Sequence, residues 1–277
     1  MTPIEFVLTL LTISVVAGFI GSLIGLGGGI VIVPTLSLLY GIDIRYAIGA
    51  SIVSVIATSS GAAAAYVREH LTNLRAAMLL ELGTTTGAIS GAFLAGILHS
   101  QRLFVIFGIV MGCSALAMLY RVKIRDWHVP PDPWADSLQL HGSYFDEALN
   151  RAIPYRITRA KLGLVLMYFA GMISGLLGIG SGALKVPAMD LAMRIPIKVS
   201  TATSNFMIGV TAAASAGVYF SRGDIDPVIA APVAIGVVLG AALGSNVLSK
   251  ADNRLIRLLF VIVLLIIATQ MIWKGLQ

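Results

Sequence analysis

One lysine stands where a lysine is expensive. Lys185 lies in SGLLGIGSGALKVPAM (residues 174–189), with long apolar runs on both sides. At the centre of a bilayer an ammonium costs roughly 2.5–3.5 kcal/mol on insertion scales. Each glycine costs a helix about 1 kcal/mol relative to alanine. A function that uses both the charge and the bare backbone would offset these terms. Glycines let a ligand touch backbone N–H groups, and a turn that opens a helix aims several donors one way with partial positive charge behind them. That is chemistry for an anion. GLGGGIVIVP (25–34) has the same design without the lysine: Gly27, Gly28 and Gly29 lead into Ile30, as Gly180, Ser181 and Gly182 lead into Ala183. Lys185 would sit one helical turn into the second segment. The plainer readings are packing for the glycines and a structural ion pair for Lys185.

Other polar residues lie within apolar runs. Glu81, followed by Thr84, Thr85 and Thr86, could carry a coupling proton or pair with Lys185. Asp190 precedes Arg194 by four residues, the spacing of a local helix-face pair. Ser51, Ser54 and Thr58 share one helical face, and Thr201, Ser204 and Asn205 hold the matching place later in the chain. Of these, Ser51, Ser204 and Asn205 are candidate neutral ligands that could complete an oxyanion's hydrogen bonds, with Asn246 weaker. Equally, serine and threonine often bond their own helix carbonyls.

The composition sets the solvent. Of 277 residues 57% are hydrophobic and 12% charged, with a mean hydropathy of +0.92, against about 25% charged in an ordinary soluble domain. The chain reads as an integral membrane protein, and its net charge of +6 concerns orientation in the bilayer, not nucleic acid. One cysteine, Cys113, allows no internal disulfide and no cysteine metal site, and the four histidines are scattered. MTPIEF has no basic leader region, so a cleaved signal peptide is not expected. No phosphate-binding loop, metal motif or nucleophile elbow is present. The expectation is no enzyme, no cofactor and no metal.

These residues need elements to hold them. A helical span takes about 20 apolar residues, and runs of that kind cover 48–67, 74–98, 103–120, 200–220, 228–249 and 255–273. Two further runs, 4–40 and 163–193, exceed 30 residues and are each broken by a glycine cluster and a proline. The polar segment between, about Arg121 to Lys161, reads as an ordered or partly ordered surface loop, not a second folded domain. The halves repeat: AGFIGSLIGLGGGIVIVP (17–34) aligns without gaps on AGMISGLLGIGSGALKVP (170–187), and Pro34/Pro187, Ser51/Ser204, Thr58/Thr211 and Tyr66/Tyr219 coincide. Gly83, Gly87 and Gly91 match Gly236, Gly240 and Gly244, a face that lets helices approach closely within one chain or between chains. If each long run is a hairpin entering and leaving on one side, with the central loop cytoplasmic, 14 Lys and Arg lie inside and 4 outside; if each is a single span, 11 and 7. The positive-inside rule prefers the hairpins, and with them inverted repeats. The expected fold is an all-α polytopic membrane protein with repeats at 1–121 and 161–277 and a cytoplasmic connecting loop at 122–160. Each repeat holds a glycine-broken hairpin and three transmembrane helices.

The duplicated glycine segments ending in V-P, the eight apolar runs and ATSNFMIGVTAAASA (202–216) resemble the TauE/SafE family, the sulfite exporter or toluene sulfonate uptake permease proteins. The resemblance covers nearly the whole chain. Ser181 stands where the first segment has Gly28, a mild departure. The resemblance implies a multi-pass secondary carrier in the prokaryotic cytoplasmic membrane for sulfur oxyanions, organosulfonates or related organic anions. The reading that follows is a carrier of sulfite or an organosulfonate, exporting by alternating access, with proton or sodium coupling and homo-oligomerisation left open. The rivals are an anion channel and a non-transporting membrane scaffold or assembly factor.

Overall fold

A computed structural model of the chain describes residues 3–24, 28–68, 71–119, 131–146, 151–248 and 253–277. Nearly all of it is helical. Helix α1 (Pro3–Ile24) is followed by the short α2 (Gly29–Pro34), and then by α3 (Ile44–Arg68), α4 (Leu74–Ile97) and α5 (Ser100–Leu119). The second half runs α7 (Ala160–Leu177), α8 (Gly182–Pro187), α9 (Ile197–Ser221), α10 (Pro227–Leu248) and α11 (Asn253–Leu276). The starts of α2, α3, α4 and α5 recur 153 residues later at α8, α9, α10 and α11. Helices α4 and α7 are long and apolar enough to cross a bilayer by length and composition, and shorter apolar helices cover 4–20, 29–39, 44–60, 100–116, 227–243 and 261–276. Large apolar side chains face outward along them. Met78 and Leu82 are both 66% exposed, an outside suited to hydrocarbon.

The two long runs are interrupted ahead of α2 and α8, and each of these short helices then ends on a proline. Pro34 and Pro187 have no N–H to close an i→i−4 bond. The ladder slips at both places into one π-helical turn, Thr35–Leu39 and Ala188–Ala192. Each turn ends on an equivalent hydrogen bond, Ile42 N–H to Leu36 O (3.2 Å) and Ile195 N–H to Met189 O (3.1 Å).

The long helices pair through glycine. Helix α4 packs on α7 and α1 on α10, while α3 meets α9 and α5 meets α11. A Cβ added at Gly83, Gly87 or Gly91 would lie within 3.0 Å of the carbonyl oxygens of Leu164, Tyr168 and Met172 on α7, closer than real Cβ atoms come. On the reverse face Gly171 and Gly175 meet Thr84 O and Ala88 O. Gly236 and Gly240 are placed in the same way against Leu11 O and Val15 O of α1. These faces pack within one chain. The side chains around Gly244 and Asn246 lie outside the described residues.

The central segment is more structured than a loop. It carries α6 (Pro133–Ser137) and an antiparallel hairpin, β1 (Gly142–Asp146) with β2 (Arg151–Tyr155), in register from Gly142↔Tyr155 to Asp146↔Arg151. Ala135, Leu140 and Ile157 are buried in a cluster with Ala76, Ala77, Met193 and Ile195. Asn73 fastens it: its Oδ1 caps α4 by accepting from Ala76 N–H, while its Nδ2 donates to Leu140 O and the Tyr155 hydroxyl at 2.9 and 2.8 Å. Burial pushes the Tyr155 phenol above its ordinary range. Asp132 accepts from Trp134 and Ala135 N–H at the start of α6 and from Ala160 N–H at the start of α7. Those bonds, the one from Ala160 foremost, hold its carboxyl below the usual range.

Candidate functional site

The two glycine segments converge on one hydroxyl. Ser51 of α3 donates to Gly178 O at 2.6 Å, across the two halves. A Cβ at Gly29 would lie 2.6 Å from Ser51 Oγ and 2.7 Å from Gly178 O. Gly29, Ser51 and Gly178 therefore touch. Gly178 (φ +66°) closes α7 in the left-handed region, and Gly180 (φ +64°) returns to it before α8 begins. Glycine adopts that conformation without the strain a Cβ brings. Gly28 precedes α2 and packs on Val237 of α10, whereas Gly27 lies outside the described residues. Ser181 holds the N-cap place of α8, yet its hydroxyl makes no capping bond. Ser181 Oγ is buried without a partner, as is Ser204 Oγ on α9. Asn205 is half-buried.

Lys185 is wholly inside, at 0% exposure. Its ammonium donates to Thr211 Oγ1 of α9 at 2.7 Å. Thr211 Oγ1 lies 2.7 Å from Glu81 Oε1 of α4 and 2.8 Å from Met207 O of its own helix. Thr85, one turn on from Glu81, donates to the same Oε1 at 2.9 Å. Glu81 is 8% exposed, and its Oε2 has no partner. The two charges are thus joined through one threonine oxygen. Glu81 comes from the first half of the chain, Lys185 and Thr211 from the second. In the 153-residue register their counterparts are Ala234, Ile32 and Thr58, so the ionic chain exists once.

Glu81, Lys185, Ser51 and Ser204, singled out by the sequence, are all buried, and the sequence leaves open whether Glu81 pairs with Lys185. The structure pairs the two. Asp190 sits half-buried in the second π-helical turn, where Arg194 is the neighbouring charge. Ser54 and Thr58 bond carbonyls of their own helix, Ser51 O and Ser54 O, which is the local use of such hydroxyls. Thr211 is the residue that spacing does not single out. The available signals are that it repeats Thr58 and that it follows Ser204 by seven residues, on the same face of α9.

The far end of α9 is locked separately. Arg222 pairs with Asp224 at 2.7 Å, donates to Ala92 O of α4 and stacks over the Tyr219 ring at 4.5 Å. The Tyr219 hydroxyl donates to Gly175 O. This cluster ties α4, α7 and α9 together away from Glu81.

Chemically, the interior of the described residues holds one fully buried ammonium, one buried carboxylate and several hydroxyls around broken backbone. In lipid such backbone is tolerated where it is buried in protein or lines a cavity. Comparison with known proteins agrees in kind. The chain is 30% identical over 274 residues to the probable membrane transporter protein YunE of Bacillus subtilis, covering 96% of this chain and 97% of that one. A probable membrane transporter protein of Xylella fastidiosa is 27% identical over 261 residues, covering 93% and 92%. The probable membrane transporter protein MJ0441 of Methanocaldococcus jannaschii is 23% identical over 273 residues, covering 92% of each chain. No solved structure matches. The profile described as Sulfite exporter TauE/SafE matches residues 10–271, and the chain belongs to that family of membrane transporters.

Proposed function

We propose that this protein is a secondary carrier of small sulfur-containing anions, sulfite or an organosulfonate, working by alternating access in the cytoplasmic membrane of a prokaryote. The observation that carries the reading is Lys185: a fully buried ammonium one helical turn into the broken helix that follows the second glycine turn. The unpartnered hydroxyls of Ser181 and Ser204 supply neutral donors of the kind an oxyanion needs. The backbone N–H groups of Gly28, Gly29, Gly180 and Gly182, with Asn205 beside Ser204, complete the proposed ligand set, and the Ser51 hydroxyl joins it by turning its proton from Gly178 O to the anion. Glu81 balances Lys185 in the empty carrier and is the coupling-proton candidate. Reciprocal packing of α1 on α10 and α7 on α4 supports two inverted repeats rocking about this centre, with residues 122–160 cytoplasmic. Export is the favoured direction, because sulfonate breakdown releases sulfite inside the cell.

The test is uptake of labelled sulfite into proteoliposomes, competed with sulfonates, carboxylates and sulfate, for wild type and Lys185→Ala. Saturable uptake with trans-stimulation, competed by sulfur anions and abolished in the variant, is the expected result. Flux without saturation or exchange would indicate a channel. A copurifying partner with no anion flux would indicate a scaffold.

A further inference from the structure

The charges around Thr211 can be counted, and the count constrains what crosses the membrane. Thr211 has one hydroxyl proton and two acceptors in reach, Glu81 Oε1 at 2.7 Å and Met207 O at 2.8 Å. When Glu81 is a carboxylate, Thr211 donates to it and accepts from Lys185, and the site is neutral. When Glu81 is an acid, its O–H donates to Thr211 Oγ1. The threonine proton then turns to Met207 O, and the Lys185 charge is left unmatched. A hydroxyl oxygen can accept both bonds at once. We infer that the Thr211 hydroxyl reorients with the protonation of Glu81, that the carrier takes up a monovalent anion only together with a proton on Glu81, and that this protein is therefore an electroneutral proton–anion symporter selective for monovalent over divalent anions. The inference rests on the carrier reading above and adds to it the charge class of the substrate and the coupling ion.

The physical reason is the cost of uncompensated charge in a low-dielectric interior. Two states are neutral at the site: Glu81 ionised with Lys185 and no substrate, and Glu81 protonated with Lys185 and one monoanion. These reorient. Glu81 protonated without substrate leaves one positive charge, and Glu81 ionised with a monoanion leaves one negative charge. These do not. A dianion leaves excess negative charge in either protonation state. The proton comes from water on one side, forms the O–H bond on Glu81 and is released to water on the other side with the anion.

Charged and titratable groups on the surrounding elements do not intrude. Among the described residues, Glu81 is the charged group linked to Lys185 of α8, through Thr211. Helix α7 brings Tyr168, bonded to Ser90, about 13 Å further along α4 at 1.5 Å per residue. On α9, Lys198 lies in the first turn, and Arg222 past the last is held by Asp224 and by Ala92 O, about 16 Å along α4 from Glu81. Asp190 has Arg194 as its neighbour. Arg75 on α4 itself bonds Gln139. With one proton per anion, each unit of pH difference balances a tenfold anion gradient. Export then requires the anion to be more concentrated inside by that factor, and otherwise an acidic exterior drives uptake.

The experiment uses methanesulfonate, monovalent at every working pH, and sulfate, divalent at every working pH. The full-length protein is reconstituted with a pH dye inside the vesicles. Net uptake and counterflow exchange are read separately. Wild type should take up methanesulfonate with one proton each, indifferent to an imposed potential. Net uptake should fall by up to about tenfold per pH unit on the alkaline side, and sulfate should stay at background. Glu81→Gln should keep exchange, now independent of pH, and lose net uptake, because its empty form carries the unmatched ammonium. Thr211→Val should shift the balance from net uptake toward exchange, and Thr211→Ser should restore it. Methanesulfonate entering without a proton, sulfate exchanging as well as methanesulfonate, or Glu81→Gln performing net uptake like wild type would each overturn the inference while leaving a carrier in place. Monodisperse wild-type protein that exchanges neither anion nor sulfite would overturn the carrier reading and the inference together.

Discussion

Replacing Lys185 by Met keeps the length of the stem and removes the charge. The ammonium and Glu81 are linked by two bonds of 2.7 Å in series through Thr211 Oγ1, so the two groups lie within about 5.4 Å. At that separation two unit charges interact by about 3 kcal/mol at an effective dielectric of 20. Breaking a buried pair from one side costs about 3–5 kcal/mol, since the other charge remains. Lys185→Met and Glu81→Gln should therefore each lower the melting temperature of the detergent-solubilised protein, by about 6–20 °C at 2–4 °C per kcal/mol. A proton on Glu81 would mask the loss in Lys185→Met, so the melts are compared at pH 8. The double variant removes both charges and should melt above either single one, with a coupling energy near 3 kcal/mol. Single effects that add to within about 0.5 kcal/mol would show that the two residues do not share an interaction, and the ionic chain would have to be abandoned.

Three further perturbations test the frame around that chain. Gly87→Ala should destabilise by about 1–3 kcal/mol through overpacking against α7, whereas Gly217→Ala, with nothing within 4 Å, should be neutral or slightly stabilising in the same melts. Ser51→Ala removes one of the bonds between the halves and leaves the Gly178 carbonyl short of a buried donor; a loss of about 1–3 kcal/mol and faster amide exchange around Gly178–Ser181 are expected. Asp132 has a folded-state pKa below its ordinary value. Its contribution is therefore complete above the unfolded value near 4 and is lost as pH falls through the folded one. Hydrogen exchange at Trp134, Ala135 and Ala160 should rise below about pH 4 in wild type, and Asp132→Ala should raise it at neutral pH, the cap being worth about 1 kcal/mol.

What could be read from the sequence was what repeats or what is out of place. The glycines at 83, 87 and 91 recur every four residues, and a spacing of four on a helix is a stripe whatever lies opposite. Lys185 and Glu81 are charges within apolar runs, which marks them without any knowledge of the fold. The hairpin at 142–155 offered neither signal. Its strands are five residues each, the second contains Pro154, and its folding depends on Asn73 and on the buried cluster with Ala76 and Met193 rather than on its own alternation. Thr211 was hidden for a related reason. Its partner Glu81 is 130 residues away, and its match to Thr58 in the repeat marks the position without naming a partner.

The repeat itself gives the ionic chain its meaning. Two halves built to the same plan bring Gly29, Ser51 and Gly178 together, and the prolines and π-helical turns of both are in register. At the positions of Glu81 and Lys185 the plan is broken, since the equivalent places hold Ala234 and Ile32. A duplicated packing contact has no need of such a break, and packing alone would be served as well by alanine and isoleucine on both sides. The carrier proposed above does need it: one ammonium to meet one anion, and one carboxylate to replace that anion when it leaves. A second copy of the pair would put two ammoniums and two carboxylates into the same interior, and the anion's charge would no longer decide whether the site is balanced. On the carrier reading proposed above, the asymmetry lies where a single substrate charge would be sensed, and the symmetry lies in the backbone around it.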